Sequence, residues 1–238
     1  MEDREWSDRS FGLIPSVLVA SHELKSPLSL IRQYGLMLTD DSLAQAEIIQ
    51  IGQNIVQVSE SALALVSDLA NVANLQPSLF PLEPVNLMSL ITQLTSELTP
   101  TLEMNNRVVN WPVARNGRQL VVANRKLLNR ILSNFILNSL KYSEESSAVD
   151  VSFRRVNDVM RLGVRDYGPA IDKQEYSQLL DELDKRKTLS SRPESSGLGV
   201  YVASQFAQAM GGEIGLIRHR DGLTFYVDAP LSNQLSLI

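Results

Sequence analysis

Two stripes of mostly apolar positions run through the first third of the chain at alternating steps of three and four. The first is Ile14, Val17, Ser21, Leu24, Leu28, Ile31, Gly35 and Leu38; the second is Ile48, Ile51, Ile55, Val58, Ala62, Leu65, Leu69 and Val72. Each is the seam of a helix that packs against other helices. Thr39-Asp40-Asp41-Ser42 between them is turn-prone, so the pair reads as an antiparallel hairpin. A hairpin buries only part of two stripes. Pairing with a second copy gives a four-helix bundle and completes the burial, so a homodimer is expected. The alternative cover is the chain's own C-terminal half.

Pro77, Pro81 and Pro84 break this periodicity and mark a linker. The chain then divides as residues 1–75, a helical hairpin; 76–85, a linker; and 86–238, a second domain. In that domain the pattern turns mixed. A helix is expected over Leu87 to Leu98, strands at Arg107 to Trp111 and Gln119 to Ala123, and a helix from Lys126 to Lys141. Alternating strands follow at Ala148 to Val156 and Val159 to Arg165, then a helix over Gly199 to Met210 and strands at Glu213 to His219 and Leu223 to Ala229. The fold class is α+β, with helices layered on one face of a mixed sheet.

Composition narrows the partners. At 238 residues and 44% hydrophobic, the chain has room for one large or two small domains. Its 22 basic and 27 acidic residues, net charge −5, offer no polyanion-binding surface on average, so nucleic acid is not expected as a partner. The absence of cysteine excludes disulfides and thiolate metal sites and fits a reducing cytoplasm. The apolar run from Phe11 to Ala20 is about half a membrane span, so no membrane segment is expected.

Candidate chemistry begins at His22, one of two histidines, which lies one position off the first seam beside Glu23. A neutral imidazole next to a carboxylate is a nucleophile with a base to orient it or take its proton. Pro27 removes a backbone donor and crowds the carbonyl of Glu23, at a cost of about 3 kcal/mol in a helix interior. A kink just past His22 is the expected consequence. Further on, Asn134 and Asn138 stand one turn apart on an otherwise apolar helix, followed by Lys141 and Tyr142. Such amides are either ordinary surface residues or a polar pair answered by a metal or phosphate. Asp166 and Gly168 follow a strand, which taken alone is a turn. Gly197-Leu198-Gly199 opens a helix whose N-terminus can receive phosphates.

Ser21-His22-Glu23-Leu24-Lys25-Ser26-Pro27-Leu28 resembles the H box of the sensor histidine kinases, S-H-E-L-R-T-P-L. Residues 134–143 resemble their N box, and Asp166 to Ile171 the G1 box, D-x-G-x-G-I. Gly197-Leu198-Gly199-Val200 resembles the second half of the G2 box, and Gly222-Leu223-Thr224-Phe225 a closing G-x-x-F pattern. The order of the boxes is more specific than any box alone, and the likeness runs from Ser21 to Pro230. It implies a Bergerat-type ATP-binding sandwich after the hairpin and an ATP-dependent protein histidine kinase with Mg²⁺. Phosphate would be accepted on His22 and passed to an aspartate on a response regulator.

The resemblance also implies site roles. Glu23 would be the base, and Ser26 would stand where a water is positioned for dephosphorylating the regulator. Asn134 and Asn138 would hold Mg²⁺ and triphosphate, Lys141 would meet phosphate, and Tyr142 would lie against the nucleotide. Asp166 would accept from the adenine amino group, with Gly168 allowing close backbone approach. Gly197, Leu198 and Gly199 would line the phosphates, with Lys187 and Arg192 as lid contacts. Departures are Ala170 for the second G1 glycine, Ser195 for the first G2 glycine, Asn124 for an aspartate, and no recognisable F box in Gln174 to Leu189. An alanine needing positive φ would strain the loop by about 1–2 kcal/mol. The competing reading is a dimeric scaffold or phosphorelay docking module that has lost turnover.

Overall fold

The computed structural model describes residues 24–40, 42–113, 119–143, 147–184 and 198–232, with the side chains of 141, 142, 178, 181–184 and 198 outside that description. The chain divides into two compact units, whose described parts are residues 24–74 and residues 75–184 with 199–232.

In the first unit, residues 24–37 are helical (α1), through Pro27, and α2 spans Gln45–Ala73. The turn between them is closed by Asp40, whose Oδ1 accepts from the backbone N–H of Ser42 at 2.9 Å and from its hydroxyl at 2.6 Å. Glu47 reaches back to accept from the N–H of Ala44 at 2.8 Å, satisfying one of the donors a helix start leaves unpaired. Along α2 the seam residues Ile55, Val58, Ala62, Leu65, Leu69 and Val72 are half-buried and Ile51 is buried, whereas Ile48 is exposed with the off-seam Ile49, Val56, Leu63 and Val66. The unit therefore leaves substantial apolar area uncovered, with Leu63 at 69% exposure. By length and composition α2 is also the one helix among the described residues that is long and apolar enough to cross a bilayer. It nonetheless carries Gln53, Asn54, Gln57 and Glu60, groups that are costly in hydrocarbon.

The second unit is built on a five-stranded sheet of order β2-β4-β5-β7-β6. Its strands are β2 (Val109–Asn110), β4 (Val149–Val156), β5 (Val159–Arg165), β6 (Glu213–His219) and β7 (Gly222–Pro230). β2 runs parallel to β4, and the other neighbours are antiparallel. A separate ribbon pairs β1 (Glu83–Asn86) with β3 (Leu120–Ala123). The helices are α3 (Leu87–Met104), α4 (Arg125–Tyr142), α5 (Lys173–Asp184) and α6 (Leu198–Ala209).

Alternation sets which face is covered. Val149, Val151, Leu162, Val164, Val227 and Ala229 point into a core shared with Leu128, Ile131, Leu132, Phe135 and Ile136 of α4 and Phe206 of α6. Phe135 and Phe225 meet with ring centroids 5.4 Å apart. The alternate positions Arg161, Arg165, Thr224 and Tyr226 lie on the other face and are only partly buried.

Three expectations are corrected. The stretch 76–85 is not all linker, because Glu83, Pro84 and Val85 belong to β1; Val85 is buried, and the carbonyl of Pro81 accepts from the Asn124 side chain. The helix expected to end at Leu98 continues to Met104 through Pro100. Pro100 cannot donate to the carbonyl of Ser96, but Leu90, Leu94, Leu98 and Leu102 form one buried stripe that carries the helix past it. The strand expected over Arg107 to Trp111 is only Val109–Asn110. A fourth element was not foreseen. Helix α5 occupies the stretch where no F box is recognisable; Asp172 caps it by accepting from the N–H of Glu175 at 2.7 Å.

Candidate functional site in the second unit

Asp166 follows directly on β5 and is 6% exposed. It is bound to one residue of β7 in both directions: its N–H donates to the Leu223 carbonyl at 2.9 Å, and its Oδ1 accepts from the Leu223 N–H at 2.8 Å. Burial pushes its carboxyl above the ordinary carboxylate range, partly offset by the N–H groups of Leu223 and Gly168 and then by the charges of His219 and Arg165. Leu223 sits beside Asp166 because Gly222 precedes it at φ +133°, a conformation a side chain would strain. A Cβ at Gly222 would collide with the carbonyl oxygen of Asp166 and stand 2.7 Å from its Oδ1. Nothing comparable constrains Ala170. Among the described residues, positive φ in a non-glycine occurs at Asn106 and Asn157 only, so the strain expected at Ala170 is absent.

On α4, Asn134 and Asn138 are half-buried and bonded to each other, Asn138 Nδ2 donating to Asn134 Oδ1 at 3.0 Å. Asn134 Nδ2 donates in turn to the carbonyl of Gly199, at the start of α6. The amide occupies the space a side chain at 199 would need: a Cβ there would lie 2.7 Å from Asn134 Oδ1 and 2.8 Å from Nδ2. A side chain at 199 would therefore have to displace the Asn134 amide from its present position.

Asn124 is the N-cap of α4. Its Oδ1 accepts from the N–H of Leu127 at 3.2 Å, and its Nδ2 donates to the Pro81 carbonyl at 3.0 Å. An aspartate, the type the resemblance leads one to expect, would keep the first bond and lose the second. At the other end of α4, Arg107 donates to the carbonyls of Leu140 at 2.7 Å and Ser143 at 3.1 Å and to the Ser143 hydroxyl. A guanidinium on the last carbonyls of a helix is favourable for both bonding and dipole. It fixes the backbone that carries Lys141 and Tyr142, whose side chains lie outside the described residues.

Ser26 is exposed on α1. His22, Glu23, Lys187, Arg192, Ser195 and Gly197 lie outside the described residues, as does the side chain of Leu198. The second unit therefore brings together Asn134, Asn138 and Gly199, and separately Asp166, Gly222 and Leu223. Arg107, Gly222 and Leu223 are absent from the site read from sequence. Only Gly222 carried a local signal, the G-x-x-F pattern.

The donor chemistry fits a nucleotide with a hard cation. Among the described residues no group of three or more His, Cys, Asp or Glu could hold a metal, but amide oxygens such as those of Asn134 and Asn138 suit a cation that keeps water and phosphate as its main ligands. A carboxylate with Oδ1 anchored retains acceptor capacity for an amino group.

Residues 123–233 match the family of histidine kinase-, DNA gyrase B- and HSP90-like ATPases. The second unit thus has the α+β fold of Bergerat-type ATP-binding domains. The likeness to sensor histidine kinases extends well beyond it. The adaptive-response sensory kinase SasA of Prochlorococcus marinus is 24% identical over 216 residues, 90% of this chain and 56% of that protein. The histidine protein kinase SaeS of Staphylococcus epidermidis is 27% identical over 202 residues, 82% of this chain and 56% of that protein. The chain thus spans little more than half the length of these relatives. Among solved structures, the Acinetobacter baumannii histidine kinase AdeS superposes with a TM-score of 0.63 at 18% identity, covering 89% of this chain and 98% of that one. The histidine kinase ThkA in complex with the response regulator protein TrrA does so with a TM-score of 0.65 at 16% identity, covering 97% and 65%. Over most of its length the chain is thus similar to sensor histidine kinases.

Proposed function

We propose that the chain is the catalytic core of a cytoplasmic sensor histidine kinase, working as a homodimer, which phosphorylates itself on His22 and passes the phosphoryl group to an aspartate of a response regulator. The observation that best supports this reading is the Asn134 and Asn138 pair held against Gly199, with buried Asp166 anchored separately on Leu223. In the proposed complex Asp166 accepts from the adenine amino group, and Gly168 lets the ring approach the backbone. Asn134 and Asn138 hold the triphosphate and Mg²⁺, Lys141 meets phosphate, Tyr142 lies against the nucleotide, and Gly197, Leu198 and Gly199 line the phosphates. Held by Asn134 and Asn138, Mg²⁺ would supply charge neutralisation at the phosphates.

The chemistry assigned to the chain is an in-line displacement. A neutral ring nitrogen of His22 attacks the γ-phosphorus, the bond to the ADP oxygen breaks, a phosphorus–nitrogen bond forms, and Glu23 takes the ring proton. Positioning and charge neutralisation supply most of the rate. Ser26, one turn past His22, is assigned to a water for the reverse, regulator-dephosphorylating activity. The exposed Ile48, Ile49, Val56, Leu63 and Val66 of α2 support the homodimer.

The test is incubation with γ-labelled ATP and Mg²⁺. Acid-labile label that His22→Gln abolishes is the expected result. Nucleotide binding without label would overturn the kinase reading in favour of a scaffold.

A further inference from the structure

Asp166 lies between two residues that point to the opposite face of the sheet, and both are tied down in different directions. Tyr167 donates its hydroxyl to Asp150 Oδ2 at 2.5 Å, one strand away on β4, and Asp150 Oδ1 accepts from the Asn110 side chain of β2 at 2.7 Å. Arg165 reaches the other way and pairs with Asp221, in the turn between β6 and β7, at 2.8 Å. Its guanidinium also covers the Tyr167 ring, 4.5 Å from the centroid. The chain on either side of Asp166 is therefore anchored to β2 and β4 by one neighbour and to the turn before β7 by the other.

We propose that Tyr167 is a positioning residue for nucleobase recognition: with Asp150 and Arg165 it forms a brace, on the face of the sheet away from the helices, that sets where the Asp166 carboxylate stands. This rests on the reading of Asp166 as the acceptor for the adenine amino group. The brace has a specific purpose. The segment after β5 has no regular structure until α5 begins at Lys173, so no ladder bonds fix the residues following Asp166. A carboxylate that must meet one amino group tolerates little displacement, and recognition of this kind depends on the shell that holds the contacting group. Tyr167 is suited to the task because its aromatic ring is rigid and its hydroxyl bonds a carboxylate, the stronger class of hydrogen bond.

The test compares two nucleotides that differ at the base position Asp166 would contact: ATP, and inosine triphosphate, which lacks the amino group. Their dissociation constants are measured on the whole chain by calorimetry or by displacement of a fluorescent nucleotide. The unaltered protein is expected to prefer ATP, and Tyr167→Phe to weaken ATP about fivefold or more while leaving inosine triphosphate within about twofold. Asp150→Ala should reproduce this, and Asp150→Asn should keep the preference, since its amide oxygen accepts from the Tyr167 hydroxyl while its NH2 donates to the Asn110 oxygen once that exposed amide turns over. In the background of Asp166→Asn, Tyr167→Phe should have no further effect on ATP.

Equal weakening of both nucleotides, or an unchanged preference in Tyr167→Phe, would overturn the brace. Failure of the unaltered protein to prefer ATP would instead overturn the role given to Asp166. Should Tyr167→Phe fold poorly, Asp150→Ala against Asp150→Asn decides the matter alone.

Discussion

The carbonyl oxygen of Asp166 stands where a side chain at Gly222 would have to begin. Gly222 has φ +133°, and a Cβ there would also come within 2.7 Å of Asp166 Oδ1. The positive φ and the clash with the carbonyl are backbone constraints, which cannot swing aside as a flexible side chain could. Gly222→Ala is therefore expected to cost the second unit about 1–3 kcal/mol. Thermal denaturation should show a midpoint several degrees lower, and affinity for an ATP analogue should fall because Leu223, the anchor of Asp166, is the next residue. An unchanged midpoint would mean the hairpin relaxes freely.

Asp166 illustrates a conflict between stability and function. Its folded pKa is raised, so over the pH range between the unfolded and folded values the folded state holds a proton that the unfolded chain has released. Stability due to this group falls as pH rises through that window and is lowest above it. Asp166→Asn removes the titration. The variant should be at least as stable as the parent at neutral pH, with the difference shrinking as pH is lowered towards the unfolded carboxylate range. The preference for ATP over inosine triphosphate should nevertheless be lost, because an amide N–H would face the adenine amino group. Denaturant titrations at several pH values, with a binding assay at neutral pH, check both halves.

Much of the second unit was legible because a sheet covered on one face writes its alternation into the sequence. Val149, Val151, Leu162, Val164 and Val227 are buried as that pattern requires, and β5 and β6 have the expected bounds. Prolines misled. Pro84 read as a linker residue, yet β1 pairs only with β3 and leaves its other edge free, where a missing N–H costs nothing in ladder bonds. Pro100 sits inside α3 because Leu98 and Leu102 are buried on either side of it. At the site, Asp166, Asn134 and Asn138 carried recognisable local patterns. Their supports did not, since Tyr167 finds Asp150 across 17 positions and Arg107 finds Leu140 across 33. Such partners are created by tertiary packing and leave no periodicity.

Asn124 shows why the departure from aspartate at that position is consistent with this chain's packing. The residue is buried, and its amide N–H bonds the carbonyl of Pro81. Asn124→Asp would set carboxylate oxygen against carbonyl oxygen while keeping the cap on Leu127, an expected loss of about 1–3 kcal/mol at neutral pH. Protonation lets the carboxyl donate to Pro81, so its folded pKa is raised and the loss should diminish as pH falls through that value. Asn124→Ala, which removes cap and tether together, should lose stability without this pH dependence. Chemical denaturation of the three proteins at neutral and mildly acidic pH separates the cases.

Two ion pairs on the same sheet should differ sharply in worth. Arg161 grips Asp228 with two bonds, Nε to Oδ1 at 2.8 Å and a terminal nitrogen to Oδ2 at 2.6 Å, and its guanidinium lies 3.6 Å from the centre of the Tyr226 ring. The Asp228 side chain is only 6% exposed, so Arg161→Ala strands a desolvated carboxylate and should cost roughly 3 kcal/mol. Arg165 pairs with Asp221 through one bond, and Asp221 is 62% exposed. Water and salt already screen that pair, so Asp221→Ala should cost less than about 1 kcal/mol. The first loss should persist at high ionic strength, whereas the second should shrink further. In a double-mutant cycle, Arg161→Ala with Asp228→Ala should cost less than the sum of the single changes, because removing the carboxylate abolishes the penalty of leaving it unpaired. Equal costs for Arg161→Ala and Asp221→Ala would show that burial of Asp228 does not control the energetics of this face.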